Sequence, residues 1–429
     1  MNRQPVRTKI GEGVFLSRIE DPKFKHNRLS ASFVLPLNPA SASDNAAAPH
    51  ILRMGSRSLP DFSALNARLQ ELYGASLEAS VSRFGGYQVL EISIRALDNR
   101  YCFSGEDLTS SCARLLADIW LDPKLDSRGL FDEKNTALQR RFIQDTIDAE
   151  INDKRLYAVS QCLKYMCEGE PVAVRAYGYP DTAAAITPAS VTAAWENMLL
   201  KAPVEIVLTG AADGAPAKKI FEEAFNGRKR DPAPYSPVSL RPSADRVKEK
   251  TETMELSQAK LVLGMRCGKI ATRKERNAAR MFAALYGGTP FSKLFLNVRE
   301  KLSLCYYCAS RFDSSTGLML VDSGVEAANR QKAQDEILAQ LKSVASGNVS
   351  EEELSQTKML LSNSIRTMTD SPAALEGWYM AQILRGDNIY TPDEDIRGLC
   401  EVTSEEVVAA AGKVTLDTVY FLAGREAGK

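Results

Sequence analysis

Twice along its 429 residues the chain runs through a similar succession of strand, helix and hairpin signals, and that repetition restricts the fold more than any other feature. In the first half, 13–18 and 28–37 read as strands, the second alternating Leu29, Ala31, Phe33 and Leu35 onto one face. The cluster Ser41-Ala42-Ser43-Asp44 reads as the cap of a helix that runs through Met54 and stops at Gly55. A second helix over 61–73 aligns Phe62, Leu65, Leu69 and Leu72 and ends at Gly74. Runs 76–84 and 87–97 bracket Gly85-Gly86 as a hairpin, 108–121 and 130–151 read as long helices, and 204–209 as a closing strand. The second half repeats the grammar: a strand over 260–265, a helix over 272–286, a hairpin around 313–317, helices after Asn329 and Ser350, and a last strand over 418–422. The expected class is α+β. It consists of two homologous domains, each an antiparallel sheet with helices packed mainly on one face. The stretch 229–244, with Pro232, Pro234, Pro237 and Pro242 among charges, reads as a linker between a first domain over 1–228 and a second over 245–429.

A chain with 44% hydrophobic and 25% charged residues buries ordinary soluble cores. Its 54 Lys and Arg balance 54 Asp and Glu, so no net field draws it to nucleic acid or to an anionic membrane. Residues 1–13 carry Arg3, Arg7 and Lys9 with no apolar stretch behind them, and no run approaches the ~20 apolar residues of a membrane span, which makes a cytoplasmic location the expectation. The eight cysteines are scattered, as suits reduced thiols. Cys305 and Cys308 form the one C-x-x-C; three residues apart on a strand they should point to opposite faces, so packing is expected of them, not redox or metal work. The basic run Arg228-Lys229-Arg230 is expected to be solvated, and Glu351-Glu352-Glu353 to be a helix start.

The chemistry-bearing stretch lies between Gly287 and Tyr307. Gly287-Gly288 should break the preceding helix, 292–302 should form another, and a strand should follow from Leu304. Arg299 near the helix end and Tyr306 on the strand then converge. A guanidinium fork and a phenol donor are suited to satisfying peptide carbonyl oxygens in a water-poor chamber. With no peptide in view, the same pair reads as a surface Arg beside a half-buried strand Tyr.

Arg299-Glu300-Lys301-Leu302-Ser303-Leu304-Cys305-Tyr306, with the order of elements over nearly the whole chain, resembles the insulinase, pitrilysin and mitochondrial processing peptidase family. Catalytic members of that family carry His-x-x-Glu-His on a helix and a Glu on a later helix; ligands at i and i+4 share one face, and the Glu between them activates the metal-bound water. Here the matching helix reads Ala46-Ala47-Ala48-Pro49-His50. Registered on Gly55, Ala46 falls at the first ligand, Pro49 at the catalytic Glu and His50 at the second ligand, while Asp145 or Gln144 falls near the third. The only other histidine is His26, upstream.

The resemblance therefore implies an inactive, zinc-motif-lacking bacterial member, similar to those associated with elongation factor P modification. It implies half of a clamshell, with no catalytic residue and no cofactor of its own. In that reading the chain is the noncatalytic subunit of a heterodimer, closing a chamber with an active zinc-containing paralogue and offering Arg299 and Tyr306 to a peptide substrate. Gly287 and Gly288 resemble a glycine-rich substrate loop. The competing expectation is a scaffold or peptide-binding protein with no proteolytic role, as a homodimer or within a larger assembly.

Overall fold

The computed structural model describes residues 4–236 and 240–424. Residues 1–3, 237–239 and 425–429 lie outside it, so Arg3 and the linker proline Pro237 are not described. In chain order the elements are β1 (Val6–Gly11), β2 (Val14–Glu20), β3 (His26–Pro36), α1 (Ala42–Leu52), α2 (Phe62–Glu71), β4 (Ser76–Phe84), β5 (Tyr87–Leu97), α3 (Leu108–Leu121) and α4 (Glu133–Ala149). There follow α5 (Lys154–Met166), α6 (Pro180–Ala184), α7 (Pro188–Lys201), β6 (Val204–Gly210), α8 (Gly214–Phe225), β7 (Lys248–Met254), β8 (Ala259–Arg266) and α9 (Arg273–Ala283). After two π-helical segments, Ala284–Gly288 and Leu294–Lys301, come β9 (Cys305–Asp313), β10 (Leu318–Val325), α10 (Arg330–Ala345), α11 (Glu351–Met368), α12 (Pro372–Arg385), α13 (Pro392–Cys400), α14 (Ser404–Gly412) and β11 (Thr415–Gly424).

These elements form two compact units that interleave along the chain: one holds 4–148, 174–236 and 368–391, the other 149–173, 240–367 and 392–424. The first sheet has the order β1-β2-β6-β3-β5-β4 and the second β7-β11-β8-β10-β9. With β1 set aside and each unit's strands counted in sequence order, both sheets read first, fifth, second, fourth, third. The fifth strand lies parallel to the first in both, and every other neighbour is antiparallel. The shared permutation is what a duplicated domain produces.

In the first unit one face of the sheet carries Phe33, Leu90, Ile92, Ile206 and Leu208 against α1, α3 and α7. Phe33 stacks on Trp120 at a centroid separation of 4.2 Å. The other face is covered by α12, whose Leu375, Tyr379, Met380 and Ile383 meet Ile19 and Val207. The period-2 alternation of strands makes this possible: Ile206 and Leu208 point one way and Val207 the other. Glu376 of α12 accepts from Arg28 and Ser30 of β3, and Arg28 also reaches Glu91 of β5.

The second unit is built likewise. Its second face is covered by α5, with Ala158 and Cys162 on Val262, Tyr420 and Leu422. Close approach depends on Gly264, where a Cβ would lie 2.7 Å from Met166 Sδ and 3.2 Å from Cys162 Sγ. Buried Arg266 spans Glu170 and Asp417 at 2.7 Å each.

The run Arg228-Lys229-Arg230 is used differently from the solvated stretch expected. Arg228 donates to Leu121 O at 3.2 Å and Ala224 O at 2.9 Å, and Arg230 to Leu199 O and Ala202 O. These are carbonyls at or near helix C-termini, which lack partners of their own and attract cations.

Because Gly264 sets how closely α5 lies on β8, Gly264→Val should lower stability by roughly 1–3 kcal/mol in a denaturant titration. Adding Met166→Ala should recover part of that loss. An unchanged midpoint in the single variant would show that α5 does not press there.

Candidate functional site

Helix α1 is built for burial. Ala46, Ala47 and Ala48 are wholly buried in the core of the first unit. The polar residues at its start do not cap it in the expected way: the Ser41 side chain accepts from no backbone N–H of the helix, only from Asn45 Nδ2 at 3.5 Å. Ser43 Oγ instead donates to Tyr177 O at 2.9 Å, and Asp44 accepts from Ser190 Oγ at 2.6 Å, which ties α1 to its neighbours. Pro49 lies inside the helix. It has no backbone N–H and no group able to move a proton.

His50 sits with its ring 4.8 Å from Phe142 and 6.2 Å from Tyr177. Its Nε2 is buried without a hydrogen-bond partner. Burial, assisted by the nearby Arg53 charge, pushes the imidazole down to about 4, so it is neutral at pH 7. Asp145 on α4 points elsewhere. It is exposed, lies 3.7 Å from Arg141, and with Arg140, Gln144, Asp148 and Pro180 lines an open cleft of about 540 Å³.

The four positions that would hold and activate zinc therefore do not fit it. Ala46 and Pro49 bring no donor, Asp145 is engaged at the surface, and His50 supplies one buried nitrogen. Among the described residues no group of three or more His, Cys, Asp or Glu side chains is arranged to hold a metal ion. A tight zinc site needs three protein ligands or more.

In the second unit, Gly287 and Gly288 do not form a loop. They close the π-helical segment Ala284–Gly288, and the helix they were expected to break continues through them. Gly287 is required by contact: a Cβ there would lie 2.7 Å from the backbone N of Ser310 on β9. The expected helix over 292–302 is present as the π-helical segment Leu294–Lys301, with Leu302 N donating to Asn297 O at 3.2 Å. A left-handed residue, Ser303 at φ 50°, then turns the chain into β9.

Arg299 lies with its guanidinium 4.5 Å from the Phe295 ring centroid and 3.5 Å from Glu300. Tyr306 is 65% exposed, which removes the half-buried alternative. The reason is local. Tyr307 pairs with Gly324 and Cys305 with Val325, so Tyr306 is the extra residue of a β-bulge. The bulge also overturns the expected facing of the cysteines. Cys305 lies opposite Val325 and Cys308 opposite Ser323, two residues apart on the partner strand, which puts both on one face. The sequence carried no signal for this, because a bulge is defined by the register of the neighbouring strand. The Arg299 charge, after the Cys308 thiol, helps hold the Cys305 thiol below its usual value against the pull of burial.

The family description "Peptidase M16 inactive domain" matches residues 185–361. A probable inactive metalloprotease of Bacillus subtilis, YmfF, is 29% identical over 424 residues, 98% of each chain. A conserved protein from Enterococcus faecalis shares the fold over 100% of both chains, at a TM-score of 0.92 and 26% identity. The chain is similar to inactive members of the peptidase M16 family. A solved M16 inactive domain from Pseudomonas fluorescens covers 99% of both chains at a TM-score of 0.79 and 18% identity, a likeness of fold. In this chain Ala46 and Pro49 supply no metal donor at the positions that align with the zinc motif.

Titration of His50 gives a test of its burial. A histidine held near 4 in the folded chain and near 6.5 when unfolded contributes stability that is present above 6.5 and lost as pH falls through about 4. That loss is on the order of 3 kcal/mol. Glu376 acts in the opposite sense: burial pushes it up to about 7, so its contribution is full below its unfolded value and lost as pH rises towards 7. The comparison is therefore between parent and His50→Phe, measured by chemical denaturation at pH 7 and pH 4.5. The parent should lose more stability than the variant on acidification, and equal losses would place the imidazole in solvent.

Proposed function

We propose that this chain is the noncatalytic subunit of a two-chain peptidase-like assembly. It closes a chamber with an active, zinc-containing paralogue and holds the peptide that the paralogue cuts. The observation that carries this reading is an asymmetry. The helix that would bind metal is packed into the core through its alanines, while Tyr306 stands exposed, lifted by a bulge, and Arg299 is half-buried against Phe295 on the adjoining element. A guanidinium with only a 3.5 Å carboxylate neighbour and an exposed phenol retain donors for backbone carbonyls. The eight cysteines, all free thiols, support work in the reducing cytoplasm.

Purification at native level should bring down a second chain that carries an intact His-x-x-Glu-His helix. In the reconstituted pair, Arg299→Ala and Tyr306→Phe should each lower peptide cleavage roughly tenfold to a hundredfold without loss of assembly. If both variants cleave at the parental rate, or if the chain is recovered only with copies of itself, the scaffold reading replaces this one.

A further inference from the structure

We infer that Cys305 and Cys308 are a reversible thiol–disulfide modification site, oxidised by peroxide, set into the bulge that presents Tyr306. Three residues apart on a regular strand, two cysteines would stand roughly 10 Å apart and on opposite faces. The extra residue at Tyr306 changes both quantities. Cys305 and Cys308 lie opposite Val325 and Ser323, whose spacing of two residues is roughly 7 Å, at the upper end of the Cα separations that disulfides span. Both side chains are buried on that same face of β9.

The two thiols have unequal roles. The Cys308 thiol holds the Cys305 thiol below its usual value, with the Arg299 charge adding to the effect against the opposing pull of burial. The Cys305 thiol, with burial, raises Cys308. By contrast, burial pushes Cys112, Cys167 and Cys267 up to about 12. Cys305 is 8% exposed and Cys308 4%, so a small oxidant meets Cys305 first.

The chemistry balances with hydrogen peroxide as the oxidant. The Cys305 thiolate attacks one peroxide oxygen, the O–O bond breaks, and the departing hydroxide takes a proton to become water, leaving Cys305 as a sulfenic acid. Cys308 sulfur then attacks Cys305 sulfur. The S–O bond breaks, the S–S bond forms, and the leaving hydroxide takes the Cys308 proton as a second water. Two thiols lose two electrons and two hydrogens, and one peroxide becomes two waters. A dithiol reductant reverses the change by exchange. Closing the last part of the gap draws the two ends of the bulge together, and Tyr306 between them moves. Any consequence of that movement for peptide binding rests on the function proposed above; the disulfide does not.

The test uses the full chain, treated with hydrogen peroxide, denatured, alkylated with iodoacetamide and analysed by peptide mass. At a dose that leaves the exposed Cys400 alkylatable, the peptide holding Cys305 and Cys308 should lose the mass of two hydrogens and resist alkylation, and dithiothreitol should restore both. In Cys308→Ser, dimedone should trap Cys305 as the sulfenic acid. The inference is overturned if both cysteines stay alkylatable while Cys400 is oxidised, or if either links to a different cysteine. The disulfide is read by mass without any peptide substrate, so a failure of the Arg299 and Tyr306 variants in cleavage leaves this result separate.

Discussion

Both sheets are covered on two faces, and each unit meets that requirement with a single helix drawn from a distant part of the sequence. Covering a second face means that residues which alternation points away from the main core must also be satisfied. The first unit does so with Glu376 of α12, which faces Arg28 and Ser30 while Leu375, Tyr379 and Ile383 supply apolar contact. The second does so with α5, where Arg155 meets buried Asp322 and the ring of Tyr307 lies 4.2 Å from the same guanidinium. Buried ion pairs of this kind add little net stability, since desolvation offsets attraction, but removing one partner strands a charge. They therefore fix which helix lies on which strand more than how strongly it is held.

This arrangement explains which parts of the fold were legible in the sequence. The β4–β5 hairpin follows from Gly85-Gly86 between alternating runs, and α3 from a long apolar stripe; both occupy the predicted residues. The strands β1 and β7 were not foreseen, because each lies at a sheet edge with few buried side chains, and Lys-Glu-Lys-Thr-Glu-Thr-Met carries no apolar alternation. Helix α5 was hidden for a related reason: its packing surface consists of Ala158, Gln161, Cys162 and Met166, while Leu156 is exposed, so hydrophobicity does not mark the inward face. At the candidate site the residue types of α1 and of the Arg299–Tyr306 stretch were readable, but neither the tilted packing of Phe142 against His50 nor the bulge at Tyr306 was. Both depend on elements far away in sequence.

The loss of metal chemistry in α1 goes deeper than missing ligands. Ala46 is wholly buried within a run of three alanines, and Ser43, Asp44 and Asn45 bond outward to Tyr177, Ser190 and Gln88. A helix that must point an imidazole and a carboxylate into an open cleft cannot also be gripped on these sides. With Pro49 in place of a base and the Phe142 ring against His50, the surface that would bind metal offers no open set of donors. Core packing resists larger side chains, because added volume forces neighbours from their rotamers. The change is thus structural as well as chemical.

The duplication sharpens the contrast between the two halves. The slot between the second and third shared strands holds α1 and α2 in the first unit, both regular α-helices, and holds α9 with two π-helical segments in the second. Both slots end in a left-handed residue other than glycine, Tyr73 before β4 and Ser303 before β9, but only the second continues into a bulge. Each of these irregularities costs free energy: weaker i→i−5 hydrogen bonds, a non-glycine residue at positive φ, an unpaired strand residue. The π-helical segments and the bulge lie within about twenty residues of Arg299 and Tyr306, and the corresponding slot of the other copy closes the same topology without either. The local distortion is therefore not demanded by the sheet order. Its effects are to expose Tyr306 and to place Cys305 and Cys308 on one face of β9.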